Sequence, residues 1–215
     1  MAPKARAISI AQALSERAPR QLAEEELEWE EDVAGTTRLE VVGDSLTVIK
    51  WHQGAWTTKH KHHLDRISST INLLSSWHRG GKLLTRTAAS DFHRHVYREL
   101  NKRADHLANS VLDGTLVRWS FTLPVAPRKL LVHFDGAKRG TGPAAAAWSV
   151  QGELNDGAWA ALAEGGVLLT TADSVMDAEL TAQEEAVKAT LGILEKGRVT
   201  WTHNGQVVLL SSTRR

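Results

Sequence analysis

The amino-acid sequence predicts an α/β protein, because apolar runs typical of strands alternate with segments that have the spacing of amphipathic helices. Two of the strand-like runs end in an acid, at Asp44 and at Asp135. The stretch LVHFDGAKRGTGP is typical of the opening of a domain, yet it begins only at Leu131 of a 215-residue chain. The order of the elements is therefore unusual, and it bears on both fold and function.

Composition limits the classes of site that the chain can carry. Lys and Arg total 26 and Asp and Glu total 25, so the net charge of +1 gives no general attraction to a polyanion, and a nucleic-acid surface must be local. The absence of cysteine excludes disulfides, thiolate zinc sites and cysteine nucleophiles. Any metal site must use oxygen or imidazole ligands.

The N-terminal segment is basic but lacks the apolar stretch of a secretory signal, and the chain has no apolar run long enough to span a membrane. We therefore expect an intracellular protein, nuclear or cytoplasmic, with no membrane partner. Lys4, Arg6, Arg17 and Arg20 oppose only Glu16, which leaves an organellar transit peptide as an alternative.

The first half of the chain predicts an extension and then strands and helices. Residues 1–35 are charged and helix-prone, with the acidic run AEEELEWEED as a solvated face. The run TRLEVVGDS predicts a strand that ends at Asp44, with Ser45 capping a following helix. Further on, the spacing of apolar residues predicts a helix over 64–80, and alternation over 90–98 predicts a strand or an extended segment. A helix follows over 99–114, with an apolar stripe that starts at Leu100.

The second half begins with residues 114–129, which contain two prolines and no clean period and are predicted to be a connector. Three strand candidates follow, KLLVHFD, PAAAAWSVQG and AWAALAEGGVLL, separated by glycine turns. Residues 174–197 predict a helix that ends at Gly197 and buries an apolar face, and 198–215 form a strand-like tail. The buried face would consist of Leu180, Val187, Leu191 and Leu194.

Four stretches of the chain resemble the ribonuclease H family, most closely the ribonuclease H domains of retroelements and their plant-type relatives. They are FDGAKRGTGPAAAAWSV, DAELTAQEEAVKA, VVGDSLTVIKWHQGAW and HVYRELNKRADHLAN. Residues 95–105 match the family run His-x-x-Arg-Glu-x-Asn-x-x-Ala-Asp position by position. The resemblance implies a mixed five-stranded sheet with helices on both faces.

The order of these stretches differs from that of the family, which runs from the first strand through the glutamate helix to the Asp-Ser strand and the Ala-Asp helix. Here residues 36–113 resemble the second half of that fold and 130–197 the first half. The resemblance therefore implies a circularly permuted domain over 36–197, with 114–129 joining the old end to the old beginning. Domain termini usually lie at the surface and often close together, so a connector of this length is ample.

The resemblance also implies a function, which is hydrolysis of the RNA strand of RNA–DNA hybrids by a two-metal mechanism. Two Mg²⁺ ions, with Mn²⁺ as substitute, would activate a water and spread the charge of the transition state. The implied metal ligands are Asp135, Glu179, Asp44 and Asp105, and His95 would assist proton transfer or product release. The implied contacts to the hybrid, whose RNA strand is distinguished by its 2′-hydroxyls, are Gly136, Lys138, Arg139, Gly140, Ser45 and Asn101.

Simpler roles and rival functions remain open from the sequence alone. An aspartate at a strand end is commonly a turn residue, and an acid in the first turn of a helix, as predicted for Glu179, is favoured by the helix dipole. The chain could be an inactive module that binds hybrids or duplexes, or a retroelement-derived fragment. We expect a monomer, with a domain-swapped dimer as the alternative.

Three further features invite a functional interpretation. For the run KHKHH at 59–63, a solvated loop is favoured over a phosphate contact, and zinc comes third. For Trp51 and Trp56, packing in the core or at its rim is favoured over stacking on nucleotides. A weak alignment of 198–208 with 38–48 places Asn204 on Asp44, and we expect Asp44 to fill the site because an amide brings no negative charge to a cation.

Overall fold

A computed structural model describes residues 36–85, 92–120, 127–154, 157–172 and 174–195, and the backbone of 200–203 and 206–209. The predicted extension over 1–35, the helix stop at Gly197 and Asn204 lie outside the described residues. The helices are α1 (Leu46–His52), α2 (Lys61–Arg79), α3 (Lys102–Leu112) and α4 (Val175–Glu195). The strands are β1 (Thr37–Gly43), β2 (Leu83–Leu84), β3 (His93–His95), β4 (Trp119–Ser120), β5 (Lys129–Lys138), β6 (Ala144–Glu153), β7 (Trp159–Leu169), β8 (Thr200–His203) and β9 (Gln206–Leu209).

The main sheet is mixed and has the order β2-β1-β5-β6-β7-β4, with β3 also paired to β1. Strands β2, β3 and β5 run parallel to β1, whereas β5, β6, β7 and β4 pair antiparallel. Seven strands are described instead of the five predicted. The difference arises because β2 and β3 pair with successive parts of the same edge of β1, and because β4 adds a two-residue edge strand.

Strands from both halves of the chain share this sheet. Strand β1 pairs with β5 in a parallel register that sets Val41 opposite Val132 and Val42 opposite His133. The expectation that the strand leading to Asp44 lies beside the strand that carries Asp135 is therefore confirmed. In a parallel pair the two carboxyl ends meet at one edge, so the acids that follow Val42 and His133 are brought to the same place.

Helices cover both faces of the sheet, as predicted. On one face, α1, α2 and α4 enclose the main apolar core, in which Leu39, Val132 and Phe134 of the sheet are fully buried. On the other face, Leu107 and Ala108 of α3 pack against small side chains of β6. The small alanines of β6 let α3 lie close to the sheet, and this fixes the height of α3 above the candidate site.

The predicted connector contains the short strand β4. Strand β4 pairs with β7, with Trp119 opposite Glu164. The Glu164 carboxylate accepts both guanidinium hydrogen bonds of Arg103, each 2.6 Å, and a third from the Trp119 indole at 3.0 Å. A buried carboxylate with three donors anchors the connector to the sheet edge and to α3.

Several boundaries differ from the predictions. Helix α2 begins at Lys61, three residues before the predicted start at 64, and β3 covers only part of the predicted strand. A 3-10 turn, Arg98–Leu100, precedes α3, and Leu100 is exposed instead of lying on the buried stripe. Helix α4 starts at Val175, so Glu179 lies in its second turn and not in its first.

The tail forms a two-stranded antiparallel sheet of β8 and β9, separate from the main sheet, with β8 next to β4. The prediction of strand-like structure in this segment is therefore confirmed. Among the helices that the structure describes, none is both long and apolar enough to cross a membrane.

Candidate metal centre

Three of the four predicted acids converge at the carboxyl ends of β1 and β5. Carboxylate oxygens of Asp44, Asp135 and Glu179 lie within 4.8 Å of one another. Asp44 follows the last residue of β1, Asp135 lies near the end of β5, and Glu179 reaches them from α4. Residues separated by 135 positions in the chain thus form one cluster of oxygen ligands.

Gly136 lets α4 approach the sheet at the cluster. A Cβ atom at this position would lie 2.4 Å from the Glu179 backbone nitrogen and 2.7 Å from the Ala178 carbonyl carbon. These are backbone atoms, which cannot move aside as a flexible side chain can. The resemblance implied that Gly136 contacts nucleic acid, but the structure gives it a packing role that places Glu179 beside Asp135.

Asn101 holds Asp44 in place. Its side-chain amide donates to Asp44 Oδ1 at 3.1 Å and to the Phe134 carbonyl at 2.9 Å, and the residue is fully buried. Burial lowers the pKa of His133 to about 4, aided by the charge of Arg94. The neutral imidazole can therefore donate from Nδ1 to Asn101 Oδ1, 3.3 Å away. Asn101 is thus a buried support of Asp44 in this structure, and its implied contact to nucleic acid stays a prediction.

The donors near the cluster and the Arg98 cation do not offset the burial and mutual repulsion of its acids. Burial, and then the charges of Asp44 and Asp105, raise the pKa of Asp135 to about 8. Burial, and then the charges of Asp135 and Asp44, raise the pKa of Glu179 well above its usual value, although the Gly136 backbone N–H opposes this shift. Glu179 Oε2 is buried without a hydrogen-bond partner among the described residues. Such a set of acids favours protons or an added cation.

Asp105, the fourth predicted acid, lies beside this group and not within it. Its Oδ1 accepts a 2.7 Å hydrogen bond from Arg98, an ion pair that is largely exposed. The Asp105 charge nevertheless contributes to the raised pKa of Asp135. Asp105 is therefore near the cluster but is neutralised by a cation of the chain itself.

His95 and Ser45 flank Asp44. The Nε2 of His95 lies 3.2 Å from the Asp44 carbonyl oxygen, so the imidazole can donate to the backbone at the cluster. Ser45 occupies the N-cap position of α1, but its side chain makes no capping hydrogen bond, contrary to the prediction. Both residues are half-buried, so each still presents part of its surface next to Asp44.

The turn after β5 has its cations bound to neighbouring groups. Lys138 donates to the Ala172 carbonyl at 2.7 Å. Arg139 pairs with Asp113 Oδ1 at 2.6 Å and donates to Asn109 Oδ1 at 3.0 Å, both on or just after α3. Gly140 has a positive φ of 58° that suits the turn. Because the Arg139 pair is exposed, its guanidinium can exchange partners at little cost.

A second group of metal-type ligands lies elsewhere, at the start of α2. His62, His63 and Asp177 bring ligand atoms within 4.8 Å of one another. The solvated loop predicted for KHKHH is wrong in this part, because Lys61 begins α2 and the His63 side chain is buried. The sequence showed the histidines, but Ser174-x-x-Asp177 resembles an ordinary capping motif and gave no sign that Asp177 meets them.

The two tryptophans differ. Trp51 packs against the main core, and its ring centroid lies 5.5 Å from that of His63, which confirms the packing expectation. Trp56 is 50% exposed and is not part of the core.

No known family model matches the chain, and no curated protein matches it significantly. The chemistry of the site therefore has to be inferred from its own residues.

Proposed function

We propose that the protein is a metal-dependent endonuclease of the ribonuclease H type that hydrolyses the RNA strand of RNA–DNA hybrids. The observation that carries the proposal is the convergence of Asp44, Asp135 and Glu179 from both halves of the chain. The family resemblance of the sequence names these three residues as metal ligands, and they are the acids that meet.

The residues of the cluster suit a hard divalent cation. Carboxylate oxygens are the ligands that Mg²⁺ and Mn²⁺ prefer. The raised pKa values of Asp135 and Glu179 and the unpartnered Glu179 Oε2 support a site that is completed by external positive charge. Asp44, Asp135 and Glu179 would hold the cations, and Asp105 would join them by releasing Arg98.

The sheet order supports the permuted version of this fold. Strands β5, β6 and β7 and then α4 follow the family order from its first strand to its glutamate helix. Strand β1, which leads to Asp44, takes the place beside β5 although it comes earlier in the chain. The segment between α3 and β5 then replaces the termini of the unpermuted fold.

In the proposed reaction, the cations and the residues of the chain have different roles. Bound divalent cations would make an attacking water more acidic and offset the charge that develops on the phosphate and the leaving oxygen. Asn101 fixes the orientation of Asp44, Gly136 fixes the position of Glu179, and His95 would transfer a proton beside Asp44. Arg139 on the exposed turn would contact a phosphate of the duplex by leaving Asp113.

Cleavage of a hybrid whose RNA strand carries a 5′ label tests the proposal. We expect cleavage in millimolar Mg²⁺ or Mn²⁺, none with a chelator, and none of double-stranded DNA. Asp44→Asn should reduce the rate about a thousandfold or more, since the cations contribute several kcal/mol to the transition state. Asp65→Asn, at an exposed position of α2, and Asn204→Ala should cleave as the wild type does.

Binding of the hybrid without cleavage under all of these conditions would contradict the enzymatic proposal and favour an inactive binding module. Loss of cleavage on altering Asn204, with Asp44→Asn tolerated, would instead mean that the tail supplies the ligand strand. The expected result for a protein that folds within one chain is a mass corresponding to one chain at low micromolar concentration. A concentration-dependent mass would favour the domain-swapped dimer.

A further inference from the structure

We propose a second metal site, separate from the carboxylate cluster, in which His62, His63 and Asp177 bind a transition-metal cation of the zinc class. The site lies where the first turn of α2 meets the first turn of α4. It does not depend on the proposed nuclease function.

The two imidazoles converge on the Asp177 carboxylate. The Nε2 atoms of His62 and His63 lie 3.1 Å and 2.9 Å from the same oxygen, Asp177 Oδ1. The His63 side chain is 7% exposed, that of Asp177 17% and that of His62 59%. Two ligands are thus held within the fold, and the exposed His62 leaves a route by which a cation can enter from solvent.

The ligands are oriented by contacts that would persist with a metal bound. Asp177 Oδ2 accepts hydrogen bonds from the Ser174 backbone nitrogen and hydroxyl, both 2.8 Å, so Oδ1 remains directed at the histidines. The His63 ring packs near those of Trp51 and His60, with centroids 5.5 Å and 5.2 Å away. Fixed ligands lose little conformational entropy when a cation binds.

The donor set selects a different cation from the one proposed for the carboxylate cluster. Two imidazoles and one carboxylate suit zinc, copper or nickel, whereas Mg²⁺ prefers oxygen alone. Three protein ligands leave a fourth position for water. His63 Nδ1 is buried without a partner among the described residues, so the site lacks the outer acceptor that usually strengthens a histidine ligand. We therefore expect micromolar affinity.

Binding of a cation would tie α2 to the start of α4, the helix that carries Glu179. The native state would gain stability because an unfolded chain cannot hold the three ligands together. The site would therefore act as a clamp between two helices on one face of the sheet.

The test is a titration of the full-length, metal-free protein with Zn²⁺, followed by calorimetry, and with Co²⁺, followed by visible absorption. His62→Gln is the main variant, because its exposed side chain leaves the core intact, and His63→Gln is the second. We expect each variant to lose one equivalent of Zn²⁺ and the corresponding Co²⁺ bands. The rise in Tm that Zn²⁺ gives the wild type should disappear in His62→Gln.

His106→Gln, an exposed histidine on α3, is the matched control and should bind as the wild type does. Asp135→Asn should also retain the Zn²⁺ equivalent. Unchanged Zn²⁺ binding in His62→Gln would overturn the proposal. Loss of that equivalent in Asp135→Asn would overturn it as well, because the zinc would then occupy the carboxylate cluster.

Discussion

Two carboxyl groups on the same helix, Asp177 and Glu179, have opposite electrostatic surroundings although only two positions separate them. Burial and the charges of Asp135 and Asp44 raise the pKa of Glu179 well above its usual value. Burial would also raise the pKa of Asp177, but hydrogen bonds from Ser174, His63 and His62 outweigh it and lower the pKa to about 2. Both acids lie near the N-terminus of α4, so the helix dipole does not explain the difference.

The difference lies in the donors that the chain supplies. Asp177 is compensated internally by a hydroxyl, a backbone N–H and two imidazoles, so it is stable as an anion without a ligand. The cluster of Asp44, Asp135 and Glu179 receives few donors and consists of mutually repelling acids. This arrangement therefore lowers the stability of the metal-free fold, and such a cost is typical of acids that are grouped to bind a cation.

The largest expected effect is a fall in the stability of the metal-free protein as pH rises. The folded-state pKa of Asp135 is raised from 3.8 to about 8, so the folded state retains a proton that the unfolded state has lost in this interval. The free energy of unfolding should fall by on the order of 4 kcal/mol between pH 4 and pH 8 because of this group. Urea denaturation in a chelator should show a larger fall in the wild type than in Asp135→Asn, in which the raised pKa of Glu179 still makes stability decrease with pH.

Mg²⁺ or Mn²⁺ should restore stability at pH 8 in the wild type and less so in Asp135→Asn.

Asp177→Asn is the matched comparison, because the contribution of Asp177 to the free energy of unfolding changes with pH in the opposite direction. The folded-state pKa of Asp177 is lowered to about 2, so its stabilisation is present above pH 4 and is lost as pH falls towards 2. Parallel stability curves for the wild type and Asp135→Asn would show that the two acids do not differ as described.

The second effect concerns the internal support of the carboxylate cluster. Asn101→Asp replaces the amide that donates to Asp44 and to the Phe134 carbonyl, and it adds a buried acid of like charge. We expect a loss of about 3 kcal/mol in the free energy of unfolding at pH 8. Asn101→Ala should lose less, because it removes the donors without adding charge. Equal losses in the two variants, measured by chemical denaturation, would mean that repulsion within the cluster is weak.

The sequence predicted which acids converge better than it predicted the surroundings that hold them. Asp44, Asp135 and Glu179 were singled out by the resemblance of four sequence stretches to one family, since each acid taken alone has the local pattern of an ordinary turn or helix-start residue. Apolar runs marked the strands themselves, but the pairing of β1 with β5 was implied by the family resemblance and its permuted order. The mixed sheet with helices on both faces was implied by the same resemblance.

Roles that depend on packing between distant elements could not be predicted. Asn101 resembles a surface residue at a helix start until α3 is placed against β5, where its amide becomes buried. The histidines of KHKHH meet Asp177 only because α2 packs on α4, more than 100 residues further along the chain. Strand β4 is two residues long and depends on the bonds of Glu164, so no local pattern marks it.

A third effect tests whether close packing of α4 on β5 creates the cluster. Gly136→Ala would place a Cβ against the backbone of Glu179, so we expect a loss of about 2 kcal/mol in the free energy of unfolding. Gly192 lies on α4, further along the helix than Glu179, and a Cβ added there would meet no atom within 4 Å. Gly192→Ala should therefore add about 0.5–1 kcal/mol to the free energy of unfolding, because alanine is the better helix former. If both variants are equally stable by denaturation, the approach of α4 to β5 is looser than described.

The smallest effect on stability is expected at Arg98, an exposed cation near the carboxylate cluster. Its guanidinium pairs with Asp105, and the charges of Asp44 and Asp135 also act on it. The Arg98 side chain is 75% exposed, so Arg98→Gln should change the free energy of unfolding by less than about 1 kcal/mol. Removing the cation should nevertheless strengthen Mn²⁺ binding by about fivefold, because one nearby unit charge contributes on the order of 1 kcal/mol.

Calorimetric titration of the metal-free protein with Mn²⁺ measures this affinity without relying on cleavage. Lys102→Gln removes a neighbouring exposed cation at the start of α3 and should leave the affinity nearly unchanged. If Arg98→Gln weakens Mn²⁺ binding, then Arg98 orients Asp105 as a ligand instead of competing for it. Asp105 would then resemble Asp177, because both acids would be held by donors of the chain itself. Arg98 would position Asp105 as the fourth oxygen ligand beside Asp44, Asp135 and Glu179.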